Sequence, residues 1–161
     1  MTVWEAVGTG FDGGFVPYGK ERVGVGVDRR LDEEDTRWRV ERVKEVLLAL
    51  GPTAWGSSAE DYGARQFVDI SAGEQNMVLL MRALVGRPQL VLLDEVWNGM
   101  DDRMVKAAKR YLTDGNGVGG DQAVVVISHW EEEVPWGWED GVKRFRLEKG
   151  FGSEVRPWMS S

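Results

Sequence analysis

The sequence predicts an α/β fold with a mainly parallel sheet, accompanied by an α-helical subdomain. Two observations predict it. Leu90–Leu93 and Ala123–Ile127 are short, continuous apolar runs, which are typical of strands buried on both faces in a parallel sheet. Segments with helical periodicity precede both runs, and helix, strand, helix, strand in succession is the pattern of α/β layers.

The amino-acid composition limits the classes of protein to which the chain can belong. The 161 residues fit one domain or a fragment of one, and 42% apolar residues exclude a disordered chain. Without cysteine, the chain has no disulfide framework, no thiolate metal site and no cysteine nucleophile.

The net charge and the hydropathy of the sequence limit the binding partners and the cellular compartment that we expect. A net charge of -7 disfavours sequence-independent binding to nucleic-acid phosphates, so we do not expect a nucleic-acid partner. The longest nearly apolar run, 77–85, is far shorter than the roughly 18 residues of a membrane span. No secretory signal is visible, so we expect an intracellular, cytoplasmic protein without direct membrane insertion.

Residues 1–70 are predicted to form the helical subdomain together with an irregular N-terminal region. A glycine-rich stretch holds one short helix, Thr2–Val7. Apolar residues recur at helical spacing over Asp32–Leu50, and Gly51-Pro52 ends that helix. A loop with one helical turn is expected over 53–66.

Residues 71–150 are predicted to carry the sheet, and residues 151–161 a flexible tail. The predicted elements are a helix over Ser71–Val85, a strand over Leu90–Leu93, a helix capped by Asp101 or Asp102, a glycine-rich turn over Asp114–Asp121, a strand over Ala123–Ile127 and an edge strand over Val142–Leu147. The first of these helices is apolar almost all round, which is typical of a buried helix.

The first candidate site opens the helix at Ser71. Free N–H groups and the helix dipole at such a start suit a phosphate, and a small hydroxyl residue with a glycine leaves room for one. The pattern Ser71-Ala72-Gly73-Glu74 is equally an ordinary capping box. Both interpretations remain open at this point.

The second and third candidate sites follow the two buried strands. Asp94 and Glu95 stand at the carboxyl end of the first strand, where α/β sheets bind ligands, and suit Mg²⁺ binding and activation of a water. His129, the sole histidine, ends the second strand, where an imidazole can meet a phosphoryl group. Each residue by itself also fits a structural role at a strand end.

The three sites, taken in order with Asn98-Gly99-Met100-Asp101, resemble the C-terminal half of an ATP-binding-cassette (ABC) ATPase domain. In that family they are the signature motif, the Walker B strand with its catalytic glutamate, the D-loop and the H-loop. The resemblance is dense over 67–130, and 128–135 is similar to photorepair/molybdate-type ABC ATPases. It implies a P-loop-NTPase-like three-layer core, of which 71–150 is the C-terminal part.

The resemblance also implies roles. Asp94 would serve Mg²⁺, Glu95 would act as general base and His129 would contact the γ-phosphate of ATP. The implied nucleotide-binding residues are Ser71, Ala72, Gly73, Glu74 and Asp101. ATP and Mg²⁺ are the implied cofactors, and a second ABC ATPase domain, in the same chain, a homodimer or a heterodimer, is the implied partner.

One family element is not found. The nearest match to the P-loop pattern, 14–21, has Glu21 where a hydroxyl is required, and its Pro17 removes an amide from the phosphate cradle. We therefore expect a half-domain that hydrolyses ATP only with a P-loop from a longer chain or a partner, and that is inactive alone.

Two alternatives remain. The first is a nucleotide-incompetent, ABC-like interaction module or a truncated gene product. The second is the C-terminal lobe of a chromosome-maintenance or Rad-type DNA-repair ATPase. That lobe would be preceded by a coiled coil, whose heptads are missing from 1–66, and the acidic balance does not favour DNA.

Overall fold

In a computed structural model, residues 1–11, 33–52, 58–115 and 117–155 are described, and within these ranges the chain forms five α-helices and four β-strands. The helices are α1 (Val3–Gly8), α2 (Glu33–Leu50), α3 (Ala59–Ala64), α4 (Ala72–Val85) and α5 (Asp102–Thr113). The strands are β1 (Leu90–Asp94), β2 (Ala123–Ile127), β3 (Arg144–Glu148) and β4 (Phe151–Val155), and short 3-10 turns span Phe67–Asp69, Glu131–Glu133 and Trp138–Asp140. The 14–21 segment lies outside the described residues.

The predicted helices are confirmed, and local capping explains where two of them begin. Thr2 and Glu5 form a capping box at α1, in which the Glu5 N–H donates to Thr2 Oγ1 at 3.2 Å and the Thr2 N–H donates to Glu5 Oε2 at 2.9 Å. Ser58 caps α3, the helical turn that the sequence predicts in the following loop. The predicted first residue of α2, Asp32, lies outside the described residues.

One hydrophobic cluster runs through all five helices and into β1, so it crosses the predicted boundary at residue 70. Within it, α4 is the central element: Met77, Leu80, Met81 and Leu84 are almost completely buried. The prediction of a buried helix thus holds for this face of α4, whereas Leu79 on another face is 47% exposed. The division of the chain at residue 70 stays a prediction.

A buried guanidinium ties α2 to the end of α4. Arg42, 3% exposed, donates from Nε to the Val85 carbonyl at 3.3 Å and from Nη2 to the Leu84 carbonyl at 3.4 Å. Carbonyl groups at a helix C-terminus lack intrahelical partners, and a cation there also complements the helix dipole. Glu45 lies 2.5 Å from the same guanidinium and balances its charge.

The predicted parallel sheet is present as the pair β1–β2. The register joins Leu90 to Ala123 and Asp94 to Ile127, so the two strands end side by side. The expectation of burial on both faces is wrong. Val91 and Leu93 belong to the core cluster, but Leu92 on the outer face is 65% exposed. An apolar run shows that both faces are apolar, not that a layer covers both.

The chain ends differently from the prediction. The expected strand is present as β3, but it does not border the β1–β2 sheet. It pairs antiparallel with Phe151–Val155, which was expected to be a loose tail and forms β4. Lys149 and Gly150 have φ of 50° and 84°, the positive values of a two-residue hairpin turn that brings β4 back along β3. Residues 156–161 lie outside the described ones.

These elements confirm a mixed α/β fold with a small parallel sheet and a helical part. Within the described ranges, no helix has the length and apolar character needed to cross a membrane.

Because two tyrosine side chains are buried, we expect the protein to lose stability at alkaline pH. Burial raises the pKa of Tyr62 and of Tyr111 above the ordinary value of 10.0. Above that pH the unfolded chain loses phenolic protons that the native chain retains. The free energy of unfolding therefore falls as pH rises, by up to about 1.4 kcal/mol per pH unit for each phenol. Urea unfolding followed by tryptophan fluorescence between pH 9 and 11 measures the slope. Tyr62→Phe should make it shallower, and an unchanged slope would contradict this account.

Candidate functional site

Parallel pairing brings the second and third candidate sites together. Because β1 and β2 end at the same edge, the residues that follow them emerge side by side. The Glu95 N–H donates to the Ile127 carbonyl at 3.0 Å, so the pairing extends one residue beyond β1. Glu95 and His129 therefore both lie at the carboxyl edge of the sheet, where α/β folds bind ligands.

The side chains of Glu95 and His129 are in direct contact. His129 Nε2 lies 2.7 Å from Glu95 Oε1, with the two side chains 79% and 44% exposed. The contact is an ion pair when the imidazole is protonated and a hydrogen bond from Nε2–H when it is neutral. Both groups are thus accessible to a substrate and already oriented toward each other.

Glu95 has an unusual backbone. Its φ is +45°, in the left-handed region that a residue with a side chain seldom adopts. Backbone strain of this kind occurs at functional sites, where the surrounding structure holds it in place. Here the strained residue turns the chain sharply at the end of β1, and the Asn98 N–H donates to the Glu95 carbonyl at 3.2 Å.

Asn98 supplies the other partner of the Glu95 carboxylate. Its Nδ2 donates to Glu95 Oε2 at 3.0 Å, so each carboxylate oxygen has its own partner. The Asn98 carbonyl in turn accepts from Asn76 Nδ2, on α4. From the sequence, Asn98 belongs to a motif but has no predicted role of its own, and Asn76 belongs to no predicted site. The signal was available for Asn98, because an amide three residues after an acidic strand end can reach back to it.

The first candidate site is a capping box. The Glu74 N–H donates to Ser71 Oγ at 3.3 Å, and the Ser71 N–H donates to Glu74 Oε2 at 2.9 Å. Arg65 Nη1 lies 3.4 Å from the same glutamate. The structural interpretation of these residues is therefore confirmed. The cap leaves Ser71 and Ala72 exposed at the start of α4, and the nucleotide-binding interpretation stays a prediction.

Gly73 brings the start of α4 against the turn that contains Asn98. It is buried, and a Cβ added to it would lie 2.2 Å from the Gly99 carbonyl oxygen. No side chain fits in that space. Gly73 thus serves as a packing residue between the start of α4 and the turn that contains Gly99.

Asp101 is the N-cap of α5. Its Oδ1 accepts from the N–H groups of Arg103 and Met104, both at 2.9 Å, which confirms the predicted cap. The cap fixes the direction in which α5 leaves the turn. The predicted role of Asp101 across a dimer stays a prediction.

Asp94 is exposed at the end of β1. Mg²⁺ keeps several waters and binds through one or two carboxylates together with substrate phosphates, so Asp94 suits one ligand position. In the part of the chain that the structure describes, no group of three or more metal-ligating side chains is assembled. Asp94 also lines a groove of about 570 Å³ between α4 and β1, which includes Asn76, Leu92, Glu95 and Asn98.

A second set of contacts supports the loop after β2. Ser128 Oγ contacts the Glu133 carboxylate and donates to the Trp130 carbonyl at 3.0 Å. Trp97 Nε1 donates to the Glu133 carbonyl at 3.0 Å. These bonds join the segment after Glu95 to the segment after His129, so both sides of the candidate site share one scaffold.

Comparison with known proteins finds partial homology to ABC transporter ATP-binding proteins. An uncharacterised member from Schizosaccharomyces pombe is 35% identical over 110 residues, which is 65% of this chain and 21% of that protein. An uncharacterised member from Bacillus subtilis, YfmM, is 31% identical over 109 residues, 68% of this chain and 19% of its own length. The matched part of the chain thus spans about a fifth of the length of these two relatives.

A shorter match concerns a protein named for zinc import. The zinc import ATP-binding protein ZnuC 2 of Hahella chejuensis is 42% identical over 65 residues, 40% of this chain and 26% of that protein. No protein-family model matches the chain.

The close approach at Gly73 predicts a destabilising substitution. Gly73→Ala should lower the free energy of unfolding by about 1–2 kcal/mol, since overpacking costs about 1–3 and alanine regains up to about 1 in a helix. Urea unfolding measures the change. Gly120→Ala is the matched control, because no atom lies within 4 Å of the added Cβ there. If the two variants were equally stable, the backbone near the Gly99 carbonyl would have moved to accept the added Cβ at no cost in stability.

Proposed function

We propose that the chain is the C-terminal part of an ABC-type ATPase domain and hydrolyses ATP when a longer chain or a partner supplies the P-loop. The observation that carries the proposal is the 2.7 Å contact between Glu95 and His129 at the carboxyl edge of the parallel sheet. The resemblance of the motifs to those of ABC ATPases gives these two residues their expected chemistry. The whole core is then a P-loop-NTPase-like three-layer fold, and 128–135 favour the photorepair/molybdate type.

Glu95 acts as the general base. Its carboxylate takes a proton from water as the water oxygen bonds to the γ-phosphorus, and the bond from that phosphorus to the bridging oxygen breaks to release ADP. His129 contacts the γ-phosphate and also lies within hydrogen-bond distance of the Glu95 carboxylate, 2.7 Å from Nε2 to Oε1. The contacts that Glu95 receives from two sides support this role, because they fix the carboxylate before water binds.

Asp94 holds Mg²⁺ in this proposal. The ion supplies positive charge to the phosphate oxygens of ATP. One exposed carboxylate at the strand end suits it, because the substrate and water provide the other ligands.

The start of α4 contacts a nucleotide held by the opposing domain. Ser71 and Ala72 are exposed there, and Ser71 Oγ, which accepts the Glu74 N–H, keeps its own O–H as a donor. Gly73 and Glu74 complete this segment, and Asp101 couples it to the second site. The partner is a second ABC ATPase domain, in the same chain, a homodimer or a heterodimer.

The exposed outer face of the β1–β2 sheet supports the requirement for a second half-domain. Parallel sheets occur with both faces covered, and a two-stranded sheet has little stability by itself. In the described ranges, β1 and β2 form such a pair, and Leu92 and Ile127 on its outer face are 65% and 55% exposed. The same open face favours the second candidate function, a nucleotide-incompetent interaction module.

Nucleotide binding by the isolated chain tests whether the half that carries the P-loop is required. Calorimetric titration of the 161-residue chain with Mg·ATP should show no binding at micromolar concentrations. The physical reason is that backbone amides and a lysine of the P-loop supply most of the phosphate contacts. Micromolar binding would overturn the requirement for the missing half.

Substitution of the general base separates the two candidate functions. In the chain combined with its P-loop-bearing half, Glu95→Gln should lower ATP turnover at least about 100-fold and leave ATP binding intact, since general-base catalysis contributes about 10²–10⁴. Steady-state phosphate release and equilibrium nucleotide binding measure both effects. Glu132→Gln, an exposed carboxylate outside the site, is the control and should keep normal turnover. Turnover that survives Glu95→Gln would exclude the base, and an assembly that never turns over ATP would favour the interaction module.

A further inference from the structure

We infer that Asn98 is a positioning residue for the Glu95 carboxylate and that Asn76 of α4 holds Asn98 in place. The inference rests on the proposed function for its catalytic meaning, but its geometry is independent of that function. Neither asparagine is expected to contact the reacting atoms.

The first observation concerns the orientation of the carboxylate. Rotation of a glutamate carboxylate about its last side-chain torsion is only weakly restricted. Asn98 Nδ2 donates to Oε2 at 3.0 Å, while His129 Nε2 contacts Oε1 at 2.7 Å. Donors on both oxygens, from two different segments of the chain, fix the plane of the carboxylate. Removal of either donor would release that rotation.

The second observation is the attachment of Asn98 to α4. Asn76 Nδ2 donates to the Asn98 carbonyl, and Gly73 packs directly against the Gly99 carbonyl. Two independent contacts therefore hold the turn against the first part of α4. The position of Asn98, and through it that of Glu95, is set by a helix that is itself buried in the core.

The third observation is the strain at Glu95. A left-handed φ of +45° in a residue with a side chain persists only where surrounding contacts determine it. The Asn98 N–H holds the Glu95 carbonyl at 3.2 Å, and the Asn98 amide holds the carboxylate. Asn98 thus contacts both ends of the same residue. An aspartate would keep the shape at this position but would face Glu95 with a second negative charge.

Nuclear magnetic resonance of the 161-residue chain tests the positioning directly. His129 is the sole histidine, so one set of ring signals reports on the Glu95 contact without assignment of the rest. At a pH where the ring is neutral, long-range ¹H–¹⁵N spectra give its tautomer. The parent chain should show a larger Nε2–H fraction than an unstructured peptide with one histidine, because donation to Glu95 adds to the intrinsic preference of a neutral imidazole for this tautomer.

Both Asn98→Ala and Asn98→Asp should lower the Nε2–H fraction, since each removes the donor that orients the carboxylate. Asn76→Ala should produce a smaller change in the same direction. Dispersed backbone amide signals from the core show that each variant is folded. A ring unaffected in both Asn98 variants would overturn the inference. A change in Asn98→Asp alone would also overturn it, because it would show charge repulsion without positioning.

The kinetic readout distinguishes this inference from the proposed function. In the hydrolysing assembly, Asn98→Ala should lower kcat about tenfold and leave the KM for ATP unchanged, as expected when a base is misoriented but substrate contacts are kept. A rise in KM without loss of kcat would count against positioning. If Glu95→Gln keeps its turnover while Asn98→Ala changes the His129 tautomer, the proposed function fails and the positioning stands.

Discussion

The parallel pairing of β1 with β2 is the constraint on which the site depends. The register sets Asp94 beside Ile127, so the next residues leave the sheet together, and the Glu95 N–H still bonds to the Ile127 carbonyl at 3.0 Å. A shift of one residue would move Glu95 by about 3.3 Å along the strand and turn its side chain to the other face. The contact with His129 would then be lost. The correct strand register is therefore a precondition for these two groups to meet.

The helix α4 fixes the other side of the site because it is held at both ends. Arg42 holds its C-terminal carbonyls, and the Ser71–Glu74 capping box defines its start. Near that start, Gly73 and Asn76 hold the turn that contains Asn98. Toward the Glu95 carboxylate, α4 thus contributes through position, because Gly73 and Asn76 hold the turn that carries Asn98.

Local signals made much of this predictable. Helix starts were readable because Ser71 and Asp101 are caps whose partners lie within three residues, and the placement of Glu95 and His129 at strand ends followed from two apolar runs with polar ends. The direct contact between these two side chains was not predicted. The exposure of Leu92 was not predictable, because it depends on a covering layer and not on the run itself. Strand β4 was missed since its pairing depends on a turn at Lys149. The contact of Asn76 with the Asn98 carbonyl required side-chain distances that no spacing rule supplies, because the two residues lie 22 positions apart.

The open face and the strained glutamate have a common explanation in the proposed function. Full burial of a leucine or isoleucine side chain contributes about 1.5–3 kcal/mol, and Leu92 and Ile127 lie on the face beside the edge that carries Glu95 and His129. A half-domain that covers this face would therefore stabilise the strand pair that aligns those two groups. Binding of that half-domain would then favour the conformation in which β1 and β2 are aligned, because the aligned strand pair is the form that the half-domain binds. Under the proposed function, the site would be most ordered when the half that supplies the P-loop is docked, and hydrolysis would be confined to the complete assembly.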